Sequence, residues 1–97
     1  MHIQWPQTFE WDEAKAVSNL RRHRVSFEYA TRVFLDALGV EMEDGRRDCG
    51  EARYITVGRI ERRVFVVVYT QRTDVIRLVS ARKANRREVR RYETLST

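Results

Sequence analysis

One cysteine in 97 residues excludes an internal disulfide. Cys49 lies in the polar stretch Asp44-Gly45-Arg46-Arg47-Asp48-Cys49-Gly50, with no second ligand at metal-site spacing and no neighbouring base, and reads as an incidental thiol. One proline and four glycines are too few for a low-complexity or linker chain, and there is no internal repeat. No apolar run approaches the roughly 20 residues of a membrane helix. The longest, Val64 to Tyr69, has the length of a strand, so the chain reads as soluble. The opening Met1-His2-Ile3-Gln4-Trp5-Pro6 lacks the basic and apolar regions of a secretory signal, which together with the lone thiol fits the cytoplasm. Also missing are a glycine-rich phosphate loop, paired Cys or His at zinc spacing and a serine nucleophile elbow. Nucleotide hydrolysis, zinc chemistry and acyl transfer are therefore disfavoured, and neither a metal nor a cofactor is expected.

What is present is charge. Charged residues make up 34% of the chain and hydrophobic residues 42%, the balance of a folded protein, and the length suits one domain spanning residues 1–97. The formal charge is +5, and only Lys15 and Lys83 among the 19 basic residues are lysines, so 17 are arginines. The guanidinium fork binds phosphate with several donors and stacks on bases, so this bias points toward nucleic acid.

The order of elements is helices, then strands, then a helix. Thr8-Phe9-Glu10-Trp11 is a short alternating segment. Asp12 is placed to cap a helix to about Arg22 with Ala16, Val17 and Leu20 on one apolar face, and Ser26 to cap a second from Phe27 to about Leu35. Val40-Glu41-Met42 is a short strand candidate before a polar loop at Asp44 to Gly50. Three stronger strands follow, roughly Arg53 to Ile60, Val64 to Thr70 and Val75 to Ser80, with connections short enough to require an antiparallel meander. The continuous run Val64 to Tyr69 suits a central strand. Arg77 is out of place in a strand that otherwise reads as core; such a residue exits at a sheet edge or points into a functional concavity. Asn85 and Glu88 form a capping box for a final helix with Val89 and Tyr92 on one face.

Phe9-Glu10-Trp11-Asp12-Glu13-x-Lys15 followed by Asn19-Leu20-x-x-His23-x-Val25-Ser26-Phe27-Glu28 resembles the opening of BrnT-type toxins. Gly50-Glu51-x-Arg53-Tyr54-x-x-x-Gly58-Arg59 and Ile76-Arg77-x-Val79-Ser80-Ala81-Arg82-Lys83-Ala84-x-Arg86-Arg87-Glu88 are similar to two later signatures of that family. Two departures stand out. Arg24 occupies a place where the family usually has glycine, and Met1 to Gln7 extends beyond the usual start as a candidate disordered segment. The resemblance implies an α+β, RelE-like fold, with an antiparallel meander packed by two N-terminal helices and a C-terminal helix. It implies a ribonuclease that stops translation. It also implies a BrnA-like antitoxin with a ribbon-helix-helix part, through which alone the complex would touch DNA.

Metal-free RNA cleavage needs removal of the 2′-hydroxyl proton, stabilisation of charge at phosphorus and a proton for the leaving oxygen. Arg59, Arg77 and Arg82, at or beside the ends of adjacent strands, are candidates to surround one phosphate. Glu51 is the candidate base and His23 the candidate acid or phosphate ligand. Each has a structural alternative: His23 as a helix cap, Glu51 as a partner of Arg53 or Arg59. Arg82 and Lys83, in the join between strand and helix, are candidates to hold RNA directly or by charge alone. Arg86, Arg87, Arg90 and Arg91 form a basic stripe for the RNA backbone or an acidic antitoxin surface, and Tyr92 reads as an anchor for the last helix. Two other classes remain open, a non-catalytic RNA-binding module and an antitoxin-binding interaction protein. Several aromatics (Phe27, Phe34, Phe65, Tyr69) sit at core positions, which weighs against base stacking and the first of these.

Overall fold

A computed structural model describes residues 8–48 and 50–96. The readings made for Met1–Gln7 and Cys49 lie outside them. The elements are β1 (Thr8–Glu10), α1 (Glu13–His23), α2 (Phe27–Ala30) running into a 3-10 segment (Thr31–Leu35), β2 (Val40–Asp48), β3 (Glu51–Ile60), β4 (Arg63–Arg72), β5 (Val75–Lys83) and α3 (Arg86–Ser96). They form an α+β fold around one five-stranded sheet of order β1-β5-β4-β3-β2. Strands β2 to β5 are the expected antiparallel meander. The segment Thr8–Glu10 adds a strand parallel to β5, pairing Phe9 with Ile76 and Glu10 with Arg77. Among the described residues no helix is long and apolar enough to cross a membrane.

The expected caps form. The Asp12 side chain accepts from the Lys15 amide at 3.0 Å, the Ser26 hydroxyl from the Tyr29 amide at 3.1 Å, and Asn85 and Glu88 exchange reciprocal bonds at α3. Arg24 adopts the left-handed conformation that the usual glycine would, with φ 61° and ψ 28°, and its amide closes α1 onto the Leu20 carbonyl. The polar stretch expected as a loop is strand as far as Asp48. Its pairing with β3 continues past a register shift between Asp44 and Arg47, so the extra residues bulge out and the ladder resumes. At the far end Arg82 and Lys83 belong to β5 and not to a join, because β4 pairs with them through Val66 and Phe65.

One face of the sheet carries the main core. Phe65, Val67 and Tyr69 of β4 and Ile76, Leu78 and Ala81 of β5 pack with Val25, Phe27, Ala30 and Val33. Gly58 permits the closest approach: a Cβ there would stand 2.7 Å from a Val33 methyl. The expected apolar face of α1 is only partly right. Ala16 packs on the core, but Val17 and Leu20 stay 51% and 48% exposed, and the buried residue of the helix is Asn19, at 6%. Residues 16, 19 and 23 follow one helical line, which turns 17 and 20 outward. The Asn19 amide donates to the carbonyls of Val25 (3.0 Å) and Ala81 (2.8 Å) and accepts from the Ala81 amide at 3.0 Å. Strand β1 pairs only with residues 75–77 of β5, and farther along Asn19 supplies the partner groups that a longer β1 would have offered.

Helix α3 covers one end of the opposite face. Tyr92 and Leu95 lie over Val40, Met42, Ile55, Val57 and Val66, leaving a hollow of about 170 Å³. Two part-buried polar anchors hold the helix. The Tyr92 hydroxyl donates to Asp36, which also accepts from the amides of Arg59 and Leu38. Burial works to raise the Asp36 carboxyl, but these bonds and the Arg59 charge together hold it below its ordinary value. At the other end Arg82 makes a two-bond fork to Glu88, both at 2.8 Å, and this guanidinium holds Glu88 below its ordinary value against burial.

Replacing Asn19 by alanine orphans the buried carbonyls of Val25 and Ala81 and the Ala81 amide, and should cost about 2–3 kcal/mol. The check is a lower urea midpoint at an unchanged slope. An unaltered midpoint would contradict the role given to this amide. Because Asp36 and Glu88 titrate lower when folded, their contribution is complete above the ordinary carboxyl values and is lost as pH falls through the lowered ones. The melting temperature should fall on acidification below about pH 4, and the Asp36→Asn/Glu88→Gln double variant should start lower at neutral pH and lose less. Parallel acid profiles for the two proteins would count against this linkage.

Candidate active site

The period of two along a strand sends alternate side chains to opposite faces. On β5 it directs Ile76 and Leu78 into the core and Arg77 to the face that α3 only partly covers. Arg77 does not leave at a sheet edge, since β1 lies outside β5. Across the uncovered part of this face the ladder pairs Asp44 with Arg53, Thr70 with Arg77 and Arg77 with Glu10. Beside this row, Glu51 of β3 meets Arg72 of β4.

A concavity of about 510 Å³ results, lined by Glu10, Glu51, Thr70, Arg72, Val75 and Arg77. Arg77 donates through Nη1 to Glu10 Oε2 at 3.0 Å, and its side chain is 41% exposed. Arg72 donates through Nε to Glu51 Oε2 at 3.0 Å, with Nη2 at 2.9 Å from the same oxygen. Thr70 is buried in the floor. Next to it the more buried Arg53 and Asp44 stand with Nε and Oδ2 3.5 Å apart, too poorly aligned for a hydrogen bond. The Arg46 amide, opposed by burial and aided by the two guanidinium groups, holds Asp44 below its ordinary value. Exposed guanidinium forks and carboxylates thus face one open hollow. That pairing of charges can bind a phosphodiester and remove a proton from a neighbouring hydroxyl.

The fold brings together Arg77 and Glu51 among the residues singled out from the sequence. It does not gather Arg59, Arg77 and Arg82 at one point. Arg59 and Arg82 face the same way but stand at the end covered by α3. Arg59 lies over the Tyr92 ring, 5.5 Å from its centroid, and reaches Glu93 at 3.8 Å, while Arg82 is clamped to Glu88. Five residues of strand, about 16 Å at the usual rise, separate Arg82 from Arg77. His23 ends α1, in the helical layer on the other side of the sheet. The alternation also turns Lys83 to that side, into a groove with Arg62 and Arg63. Arg86, Arg87, Arg90 and Arg91 are all exposed on α3, and none is in an ion pair among the described residues. Tyr92 is 4% exposed, the anchor its spacing predicted.

Glu51 has neither of the partners considered for it; its partner is Arg72, from the far end of the next strand. Sequence reasoning missed Glu10 as a site residue altogether. Its only signal was a place in the Phe9-Glu10-Trp11 motif, because the contact to Arg77 spans 67 residues and depends on a parallel strand of three residues. Among the described residues no three His, Cys, Asp or Glu side chains come together as metal ligands.

No curated protein matches the chain. A family model described as the ribonuclease toxin BrnT of type II toxin–antitoxin systems matches residues 11–88, a span that holds both helices of the core layer, the whole meander and the arginine-bearing face. The chain therefore belongs to the BrnT family of ribonuclease toxins.

Proposed function

We propose that this toxin cleaves RNA without a metal ion in the concavity around Arg77, and that this cleavage stops translation in the cytoplasm. The observation that carries the reading is the placement of Arg77 and Glu51 in one exposed hollow, each beside a group of opposite charge. Arg77 and Arg72 receive the non-bridging oxygens of the scissile phosphate. Glu51 takes the proton of the adjacent 2′-hydroxyl, whose oxygen bonds to phosphorus as the bond to the 5′-oxygen breaks. The proton held by Glu51 then passes to that 5′-oxygen, leaving a 2′,3′-cyclic phosphate and a free 5′-hydroxyl. One carboxyl serves as base and then acid, so His23 is not needed on this face. Glu10 orients Arg77 before RNA arrives, and a guanidinium already held in place loses less freedom on binding.

Arg59, Arg82 and the α3 stripe of Arg86, Arg87, Arg90 and Arg91 hold the RNA backbone beside the concavity. Their contribution makes affinity fall steeply with salt. A BrnA-like antitoxin with a ribbon-helix-helix part neutralises the toxin, and DNA is contacted by that partner alone.

Arg77→Ala should lower cleavage about 100- to 1000-fold, the loss seen when one donor to a developing oxyanion is removed. Glu51→Gln should reduce it by a similar or larger factor, and Glu10→Gln by less, since an amide oxygen still accepts from Arg77. The measurement is cleavage of purified RNA in EDTA, with the cyclic phosphate identified by mass. Full cleavage by a folded Arg77→Ala protein would overturn the assignment.

A further inference from the structure

Five arginines that rise from the strands of the concave face have carboxylates of their own: Arg77 with Glu10, Arg72 with Glu51, Arg53 with Asp44, Arg82 with Glu88 and Arg59 with Glu93. The helical side of the molecule is built differently. A groove of about 940 Å³ runs between the end of α1 and the β3–β4 turn, the largest hollow among those described. Arg24, Arg62, Arg63 and Lys83 line it, all four are exposed, and none forms an ion pair among the described residues. The one carboxylate in the groove, Glu61, is already engaged, accepting from the Tyr29 hydroxyl at 2.8 Å and standing 3.7 Å from Arg32. Four cations lining one groove with a single carboxylate among the described lining residues leave an electrostatic demand that the described residues do not meet.

The groove is not merely cationic. Leu20 forms part of its wall with about half of its surface in water, and Val17, one turn earlier on α1, is as exposed. Together they extend the groove as an aliphatic strip. RNA would gain little from that strip and would want a free aromatic face. The one partly exposed ring in the groove, Tyr29, already has Arg32 over it at 5.2 Å and Phe65 against it edge-on at 5.7 Å. An amphipathic protein segment meets both conditions, with apolar side chains over Leu20 and Val17 and carboxylates toward the cations.

We infer that this groove is the docking site for an acidic, amphipathic segment of the antitoxin, on the side of the sheet opposite the proposed catalytic concavity. The inference rests on membership in a toxin–antitoxin family and needs no assumption about which residues cleave RNA.

The test measures binding of the purified cognate antitoxin to the full toxin by calorimetry, alongside RNA cleavage by the free toxin. Arg62→Glu/Arg63→Glu should weaken antitoxin binding about 100-fold or more, and Leu20→Glu about tenfold or more. Both variants should keep the wild-type melting curve and cleavage rate. Arg77→Ala, in the concavity on the other side, should bind antitoxin within about threefold of wild type. Should the double reversal fail to fold, Arg62→Glu alone serves, with a loss of about tenfold expected. Wild-type antitoxin affinity in the folded groove variants overturns the inference. So does a fall in cleavage matching any fall in affinity, which would make RNA the occupant. A wild-type toxin that binds antitoxin but cuts no RNA would remove the proposed chemistry and leave the groove assignment to be decided by the affinities alone.

Discussion

A single extra residue in β5 decides which side chains this protein shows to each side of its sheet. Leu78 pairs with Tyr69 and Ser80 with Val68, so Val79 is the residue left over. In an uninterrupted strand, parity would put Ile76, Leu78, Ser80 and Arg82 on the core face, and Ala81 on the other with Arg77. The bulge reverses the alternation midway. Ala81 then faces the helices and is fully buried, while Arg82 joins Arg77 on the open face. The reversal would not hold unaided, because β1 is too short to pair with the strand beyond it. Asn19 supplies that pairing by bonding both backbone groups of Ala81. The arginine-bearing face, the burial of Ala81 and the seat of α1 all follow from one bulge fixed by one amide.

That geometry gives the two sides of the sheet different electrostatics. On the concave side five strand arginines each have a carboxylate within 4 Å, and most of these pairs are partly exposed, where an ion pair contributes little to stability. Their use is better sought in position. A long side chain tethered at its head presents remaining donors in a fixed direction, whereas a free one must be ordered by its ligand. On the helical side the four cations of the groove have no such tether. The two sets of cations thus differ in whether the chain supplies a counter-charge: five arginines of the concave face are paired, and the four cations of the groove form no ion pair among the described residues.

The local parts of the fold were legible in the sequence. The caps at Asp12, Ser26 and Asn85 are short-range chemistry, and the run from Val64 to Tyr69 suited a central strand covered on both faces. What escaped was set by distant partners. Gly45, Arg46 and Arg47 look like a loop because their strand preference is low, and they extend the β2–β3 hairpin because β3 lies alongside. Asn19 looks like a surface residue of a helix whose apolar line seemed to be Ala16, Val17 and Leu20. For the site, Arg77 was recognisable as a charge out of place in a strand. Its companion Glu10 was not, since a three-residue parallel strand leaves almost no periodic signal. The grouping of Arg59, Arg77 and Arg82 came from treating strand ends as neighbours. They do share a face, but Arg77 is at the other end of its strand from Arg82.

Adjacent residues at the end of β5 connect the two sides. Arg82 turns toward α3 and the concave face, while Lys83, one step along, turns into the groove. On the readings argued above, the antitoxin segment and the RNA backbone therefore approach the same end of the sheet from opposite sides. The charge on α3 lies just beyond that end. A segment seated in the groove need only continue past Lys83 to reach the phosphates' share of the basic surface, without entering the concavity itself. Inhibition by such a partner would show in how RNA is held before it affected the reacting groups, because Arg77 and Glu51 lie some 16 Å farther up the sheet at the usual strand rise. The separation follows from the strand geometry: what recognises the partner and what cuts the substrate are on opposite faces, joined where the alternation of β5 runs out.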